Sequence, residues 1–568
     1  NIQNGNTFVS RNVSSIKGGW NISNNASVTF GVIPNQENTI CTRSDWTGAT
    51  TCQSVNLTDP SVIKSIPTTQ VNGHISLSDH ARLNVNGLVS LNGSVSAHSN
   101  SEYHLTHKAN QAGDIHLDSN AQASINDATM TGDMLAYNDT NINITNHATT
   151  TGSIHLEDNA NLNIDSSTVN GNIQATKDNE LTATNSARVN GSVTLSQNAS
   201  YTLKDQSAHS GSLSSLGNNR ITLSNNARLD GLLDLTTERS AADITRSIIN
   251  GNVRSTGRVN VNDASQINGS VSLSNIGEMT MDHSQLTGNL TAQEYSTYRL
   301  INKATHQGNL ILRDQADSIV DDANLIGDAQ LTHSAQLKFN NARFDHQITG
   351  ENGTHVSLKQ SQWTMPTSTI LGNLTLNNSE VTLNPDFAKE TNRNQFNTLT
   401  INGDLNGSGT FNYLTHLNQY LGDKLQVNGQ AQGTFKLNVR NTGAEPTRLD
   451  HLTLISLRTM PTTGLDVSLT NQYVDAGAWR YELIKDGNQY RLYSPIKEVE
   501  LKQAEADRIE AEKRKAQEEQ ERIEAEKRKA QEEAERIEAE KRKAQEEAER
   551  IEAEKRKAQE EQERIEAE

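Results

Sequence analysis

Large apolar side chains are scarce in this chain. Hydrophobic residues make up 33% of its 568 residues and aromatic residues 4%, against a usual apolar share of roughly 45–50% on a slightly wider count. That shortage excludes one thick globular core. It does not exclude thin cores repeated along a stack, because each layer then needs only a few apolar side chains. No hydrophobic run approaches the roughly 18–20 residues of a membrane-spanning helix. Basic residues are outnumbered, 50 Lys and Arg against 68 Asp and Glu, for a net charge of −18. A phosphate-binding face needs the opposite balance, so nucleic acid is not expected as a partner. The zinc-protease HExxH, the phosphate-cradling Walker loop and the dinucleotide fingerprint are all missing. There is no initiating Met and no signal peptide. The chain opens on NIQNGNTFVS and closes on ERIEAE, both within a pattern, and is read as a fragment of a longer protein.

What is present is repetition. Glycines before short alternating stretches stand at 73, 93, 113, 132, 152, 171, 191, 211, 231, 251, 269, 288, 308 and 327. The spacing is 18 to 20 residues. The unit reads Gly-x-Ile/Val-x-Leu, as in GSIHL at 152–156 and GSVTL at 191–195, with Ala four residues after the Leu at Ala81, Ala121, Ala160 and Ala199. A second alternating stretch follows, such as NLNI at 161–164. Alternation is the strand period, and a unit this short cannot bury its own apolar face. The reading is all-β: one coil of a parallel β-solenoid per unit, with two or three strands each. Ala fills a narrow corner, and Gly and Asn supply turns of positive φ. About fourteen coils stacked at roughly 4.8 Å give a rod of about 65 Å.

Two departures frame the rod. At 1–72 the coils are looser and hold the only two cysteines, Cys41 and Cys52, in TICTRSDWTGATTCQ. Two Cys without His at ligand spacing make no zinc site. A local disulfide would close a loop whose stabilisation is about 2–3 kcal/mol, and two unpaired small side chains are the alternative. After the stalk at 73–395, the segment 396–497 is richer in aromatic residues than the coils are. There HLTLISL at 451–457 reads as a strand and YELIKDGNQYRLYSP at 481–495 as a hairpin turning at Asp486-Gly487. A stack end exposes unpaired strand edges and needs a cap. From 498 to 568 a 14-residue repeat places Ile at 509, 523, 537, 551 and 565, with neither Gly nor Pro. Glu–Arg pairs at i, i+4, Glu510–Arg514 and Glu518–Arg522, suit a solvated single helix of roughly 100 Å. One apolar residue per heptad is thin for a coiled coil, which remains the second reading.

Candidate chemistry is slight. Gly407-Ser408-Gly409 has the outline of a serine loop but reads as a turn between strands. His104 and His107 fall on opposite faces of a strand, and Asp321-Asp322 reads as a solvated turn. Lys513-Arg514-Lys515 is flanked by Glu and reads as a salt-bridged helix surface. No metal or other cofactor and no catalytic residue is assigned.

DAGAWRYELI at 475–484 and YRLYSP at 490–495 resemble serine-protease autotransporters of the immunoglobulin A protease and adhesion-and-penetration type. NTICTRSDWTG, FNTLTINGDLNGSGTF and RIEAEKRKA are similar to that family too. The resemblance implies a right-handed β-helix stalk, an autochaperone-like cap and a helical linker. It implies two partner domains from the parent, a protease domain and an outer-membrane β-barrel, and export through periplasm and outer membrane to a bacterial surface. No GDSGSP-like nucleophile loop occurs in this chain, so no catalytic position carries over. The cap would nucleate folding, with Phe411, Tyr413, Trp479, Tyr481, Tyr490 and Tyr493 as its working residues. Plugging the end of the solenoid is the blander role for the same rings. The alternative function is an adhesive rod that binds host surface proteins or like rods, against which the sequence shows no exposed aromatic patch. A polysaccharide-cleaving β-helix enzyme would need clustered acids, and here they are scattered.

Overall fold

The computed structural model describes residues 1–10, 15–31, 38–43, 50–55, 68–389, 395–459 and 464–567, with the backbone alone at 9–10, 38–43 and 50–55. Each coil of the rod carries three strands. In the coil that starts at Gly152 these are Ile154–Glu157, Asn161–Asp165 and Thr168–Asn170. Stacking them in parallel builds a 16-stranded first sheet, a 24-stranded second sheet and a 15-stranded third sheet. The register is one coil per step: Ile154 pairs with Ile173, Leu162 with Leu181 and Val169 with Val189.

The corners explain the composition. Asp158 and Asn159 turn from the first sheet to the second with φ of 53° and 63°, and Ser166 turns into the third with φ 52°. Short polar side chains tolerate this left-handed region and larger ones resist it. The coil closes at glycine because coils approach closely there. A Cβ on Gly211, whose φ is +146°, would lie 2.2 Å from the Gly191 carbonyl oxygen. Inward residues form ladders such as Ile154, Ile173, Val193 and Leu213, all buried, and the corner residues Ala81, Ala121, Ala160 and Ala199 are fully buried. Outward amides form ladders of their own: Asn92 Nδ2 donates to Asn72 Oδ1 at 2.9 Å and Asn190 Nδ2 to Asn170 Oδ1 at 2.8 Å.

Near the start, Asn38–Arg43 and Thr50–Val55 pair antiparallel outside the solenoid register. The solenoid continues past them: Lys17 pairs with Asn72 and Phe30 with Val85. The hairpin of Asn38–Arg43 and Thr50–Val55 is therefore an excursion from one coil.

From residue 373 the coils change shape. The second and third faces merge into single long strands, Asn373–Thr382, Leu405–His416 and Ala431–Asn441. Asn378, with φ 49°, sits at a register shift between Asn377 and Ser379. Gly407 allows the long strands to stay stacked, since a Cβ there would lie 2.0 Å from the Leu376 carbonyl oxygen. Gly407-Ser408-Gly409 thus lies inside a strand and is not the turn that its small residues suggested.

The helix runs Pro495–Ile565 and buries no residue. Proline at the first position needs no hydrogen-bond donor there. Ile509, Ile523, Ile537 and Ile551 are 43–50% exposed and Ile565 74%. Three Arg residues pair with the Glu three residues before them, Arg508 with Glu505 at 2.8 Å, Arg522 with Glu519 at 3.1 Å and Arg536 with Glu533 at 3.1 Å. The expected i, i+4 pair Glu518–Arg522 gives way because Glu519 is within reach of the same guanidinium.

Candidate functional site

The cap is built where parallel stacking stops. Leu452–Leu457 lies parallel to Lys424–Val427 on one edge and antiparallel to Gln489–Tyr493 on the other. Trp479–Asp486 pairs antiparallel with Gln489–Tyr493, and Val474–Ala476 with Trp479–Asp486. The open edge of a seven-stranded sheet is thereby given hydrogen-bond partners. In the hairpin Asp486 faces Gln489, so the turn residues are Gly487 and Asn488, one position later than the sequence suggested. Gly487 has φ +59°, and positive φ at the first turn residue suits glycine.

The six expected cap residues fall into separate contacts. Phe411 is fully buried against Phe435, ring centroids 5.7 Å apart. Tyr413 is fully buried two residues along the same strand, and burial beside Asp423 holds its phenol well above the ordinary range. Trp479 and Tyr481 stack at 6.3 Å on one face of their strand. The Tyr481 hydroxyl lies 3.1 Å from that of Tyr420, which itself donates to the Arg448 carbonyl and accepts from the Asp450 amide. Lys497 Nζ sits 5.4 Å from the Trp479 ring centroid, which ties the helix start to the cap. Tyr490 is buried, with Lys485 Nζ 5.9 Å from its ring. Tyr493 is only half-buried. Its hydrogen bond to Glu498 in the first helical turn pushes its phenol up to about 12. No single constellation joins all six.

Sequence reasoning missed the polar centre of this region. Asp423 is fully buried and gathers three donors from three chain segments. Its Oδ1 accepts from the Asn397 amide at 2.7 Å and Asn384 Nδ2 at 3.1 Å, and its Oδ2 accepts from the Leu414 amide at 2.7 Å. Loss of water raises its pKa to about 6, against the pull of those hydrogen bonds. Nothing in the local sequence YLGDKLQ distinguishes this carboxylate from a solvated turn acid.

Other candidates scatter. His104 points outward with Nε2 3.1 Å from Glu102 Oε2, and His107 lies in a turn with Nδ1 2.9 Å from Thr106 Oγ1. Asp321 ends the strand Asp317–Asp321, Asp322 turns away with φ 46°, and Lys513, Arg514 and Lys515 are exposed on the helix. Among the described residues no group of three His, Cys, Asp or Glu side chains converges as a metal site. Cys41 and Cys52 are direct cross-strand partners in backbone register, and their side chains lie outside the described residues. A second omission is on the rod itself. His98, His116, Tyr137 and His155 form a continuous run of rings on the first sheet. Their spacings of 18, 21 and 18 residues carry no obvious period, and this run corrects the expectation of a surface without an aromatic patch.

Known proteins share this build. A family model described as the PIC/HAP1/IgA0 second beta-solenoid repeat region matches residues 1–105, and one described as Pertactin matches residues 371–494. Two adhesion and penetration protein autotransporters of Haemophilus influenzae are 31% and 34% identical over 88% of this chain, which spans 23% of their length. An IgA-specific serine endopeptidase autotransporter of Neisseria gonorrhoeae is 35% identical over 32% of this chain and 12% of that protein. The crystal structure of the Haemophilus influenzae Hap adhesin superposes with a TM-score of 0.55 at 20% identity, over 85% of this chain and 72% of that one, and shares the fold.

Proposed function

Because this chain is a β-solenoid passenger region of the autotransporter type that includes the adhesion and penetration protein and immunoglobulin A1 protease, we propose that it is the non-catalytic stalk, cap and linker of a secreted serine endopeptidase. The parent's protease domain and outer-membrane barrel are the partners that this role requires. The rod holds the enzyme away from the bacterial surface, and the helix leads back towards the barrel. Folding starts at the cap and runs outward coil by coil after export. The observation that carries this reading is the seam at Leu452–Leu457, parallel on one edge and antiparallel on the other. An antiparallel hairpin is a local structure that forms without a neighbouring coil, whereas every coil needs one. Segment 396–497 is therefore the natural nucleus.

The test is refolding of the intact chain from denaturant, followed by circular dichroism and protease resistance. Replacing both Trp479 and Tyr490 by Ala is expected to slow recovery of the whole rod at least tenfold. Equal refolding rates in variant and parent would sink the nucleation role.

A second reading, an adhesive rod, is favoured by the ring run on the first sheet.

A further inference from the structure

Side chains on the outer face of the first sheet stand in columns set by the register. One column reads Ser96, His116, Leu135 and His155. Two residues further along each coil stand His98, Asp118, Tyr137 and Glu157. The rings zigzag between the columns, one coil per step. Their centroids are 6.5 Å apart from His98 to His116, 5.6 Å to Tyr137 and 6.2 Å to His155. His116 is exposed, and His98, Leu135, Tyr137 and His155 are half-exposed. The run covers three coil steps, roughly 14 Å of the rod.

The surroundings are acidic. Asp114, Asp118, Asp133 and Glu157 flank the rings, and His155 Nε2 lies 3.9 Å from Glu157 Oε2. Outward positions of this sheet from His74 to Thr176 contain neither Lys nor Arg.

We propose that this face binds an extended, uncharged glycan laid along the rod axis. Ring faces carry negative charge density and attract the polarised C–H face of a pyranose. An extended sugar chain advances by about one ring per coil step, so successive sugars meet successive rings. The carboxylates accept hydrogen bonds from sugar hydroxyls. The same carboxylates outnumber the one lysine near them, Lys177, which is paired with Asp158, and on a chain of net charge −18 they repel sialylated or sulfated glycans. A second rod is disfavoured, since it would bring the same acids against themselves. A protein interface of ordinary size needs about 800 Å² per partner with an apolar centre, and only Leu135 and Tyr137 offer one here. The proposal deepens the adhesive reading and is independent of cap-driven folding, because binding is measured on chain that is already folded.

The test uses the intact chain. Binding of chitotetraose and of a neutral N-acetyllactosamine tetrasaccharide is measured by calorimetry, beside a heparin tetrasaccharide and a Lys-rich peptide. At least one neutral tetrasaccharide is expected to bind, and heparin is not. The double variant His116→Ala with Tyr137→Ala is expected to weaken that binding at least tenfold with an unchanged circular dichroism spectrum. Thr194→Ala, on the same face further along the rod, leaves it unchanged. Failure of both neutral sugars to bind overturns the proposal. So does preference for heparin or the peptide, or equal affinity in the double variant. If that variant loses its fold, His116→Gln alone is read against the parent, and unchanged affinity there overturns the proposal as well.

Discussion

Tyr201 and His209 meet edge to face inside the solenoid, ring centroids 5.7 Å apart at 70°. Tyr298 and His306 repeat the contact five coils later, at 5.7 Å and 88°. Five coils earlier Tyr103 donates a 2.7 Å hydrogen bond to Gln111 from the same two positions. Each histidine is fully buried and has one ring nitrogen on a glycine carbonyl, His209 Nε2 to Gly191 at 2.8 Å and His306 Nε2 to Gly288 at 2.9 Å. In its own ladder His209 stands between Val189 and Leu229, so its imidazole is buried among apolar neighbours with the Gly191 carbonyl as its hydrogen-bond partner.

These pairs set an acid limit on the rod. Loss of water lowers both imidazoles to about 4, from an ordinary value near 6.5. The unfolded chain then binds protons that the folded chain refuses. The stabilising contribution is complete above about pH 6.5 and falls as the pH drops towards 4, by at most roughly 3 kcal/mol per histidine. Denaturant midpoints measured from pH 7.5 to 4 are expected to fall accordingly. His209→Gln, which copies the Tyr103–Gln111 pair, is expected to remove about half of that slope. An unchanged slope in the variant would assign the acid sensitivity elsewhere.

Glycine at the coil closure is expected to be indispensable. Gly211→Ala places a methyl group 2.2 Å from a backbone oxygen at φ +146°, so neighbouring coils must separate. A loss of at least about 3 kcal/mol follows, since both strain and broken stacking contribute. Gly5, with φ +74° and nothing within 4 Å, is the control. Gly5→Ala is expected to cost about 1 kcal/mol. Thermal unfolding of the two variants side by side checks the difference.

The hairpin register makes Cys41 and Cys52 cross-strand partners, and we propose that they form a disulfide after export to an oxidising compartment. The native chain is expected to react with no maleimide until it is reduced. Two reactive thiols in the unreduced, unfolded chain would show that the bond is absent. Because the hairpin is an excursion from one coil, reduction is expected to leave the midpoint of the main rod nearly unchanged.

Much of the stalk was legible because every coil repeats the same local demands. Gly211, Ala160 and the Ile154–Leu156 pair each announce their environment through residue type and spacing. The cap hairpin was legible to within one residue, since Asp486-Gly487-Asn488 allows two neighbouring turns. The strand through Gly407-Ser408-Gly409 was not, because its glycines answer to the close approach of Leu376 and Ser379 from another coil and not to a local turn. Asp423 was equally hidden: its three donors come from positions 384, 397 and 414.

The sequence alone determined a parallel stack of short coils, an aromatic cap and a solvated helix. Strand alternation, turn residues and helix propensity act over a few neighbouring positions and can be read there. Only the tertiary structure decided which side chains share a surface. Stacking brings positions about twenty residues apart within one strand spacing, so His98, His116, Tyr137 and His155 become a single run of rings. The same stacking decided which polar groups are buried, because Asp423 and His209 lose their water only when other coils and loops close over them.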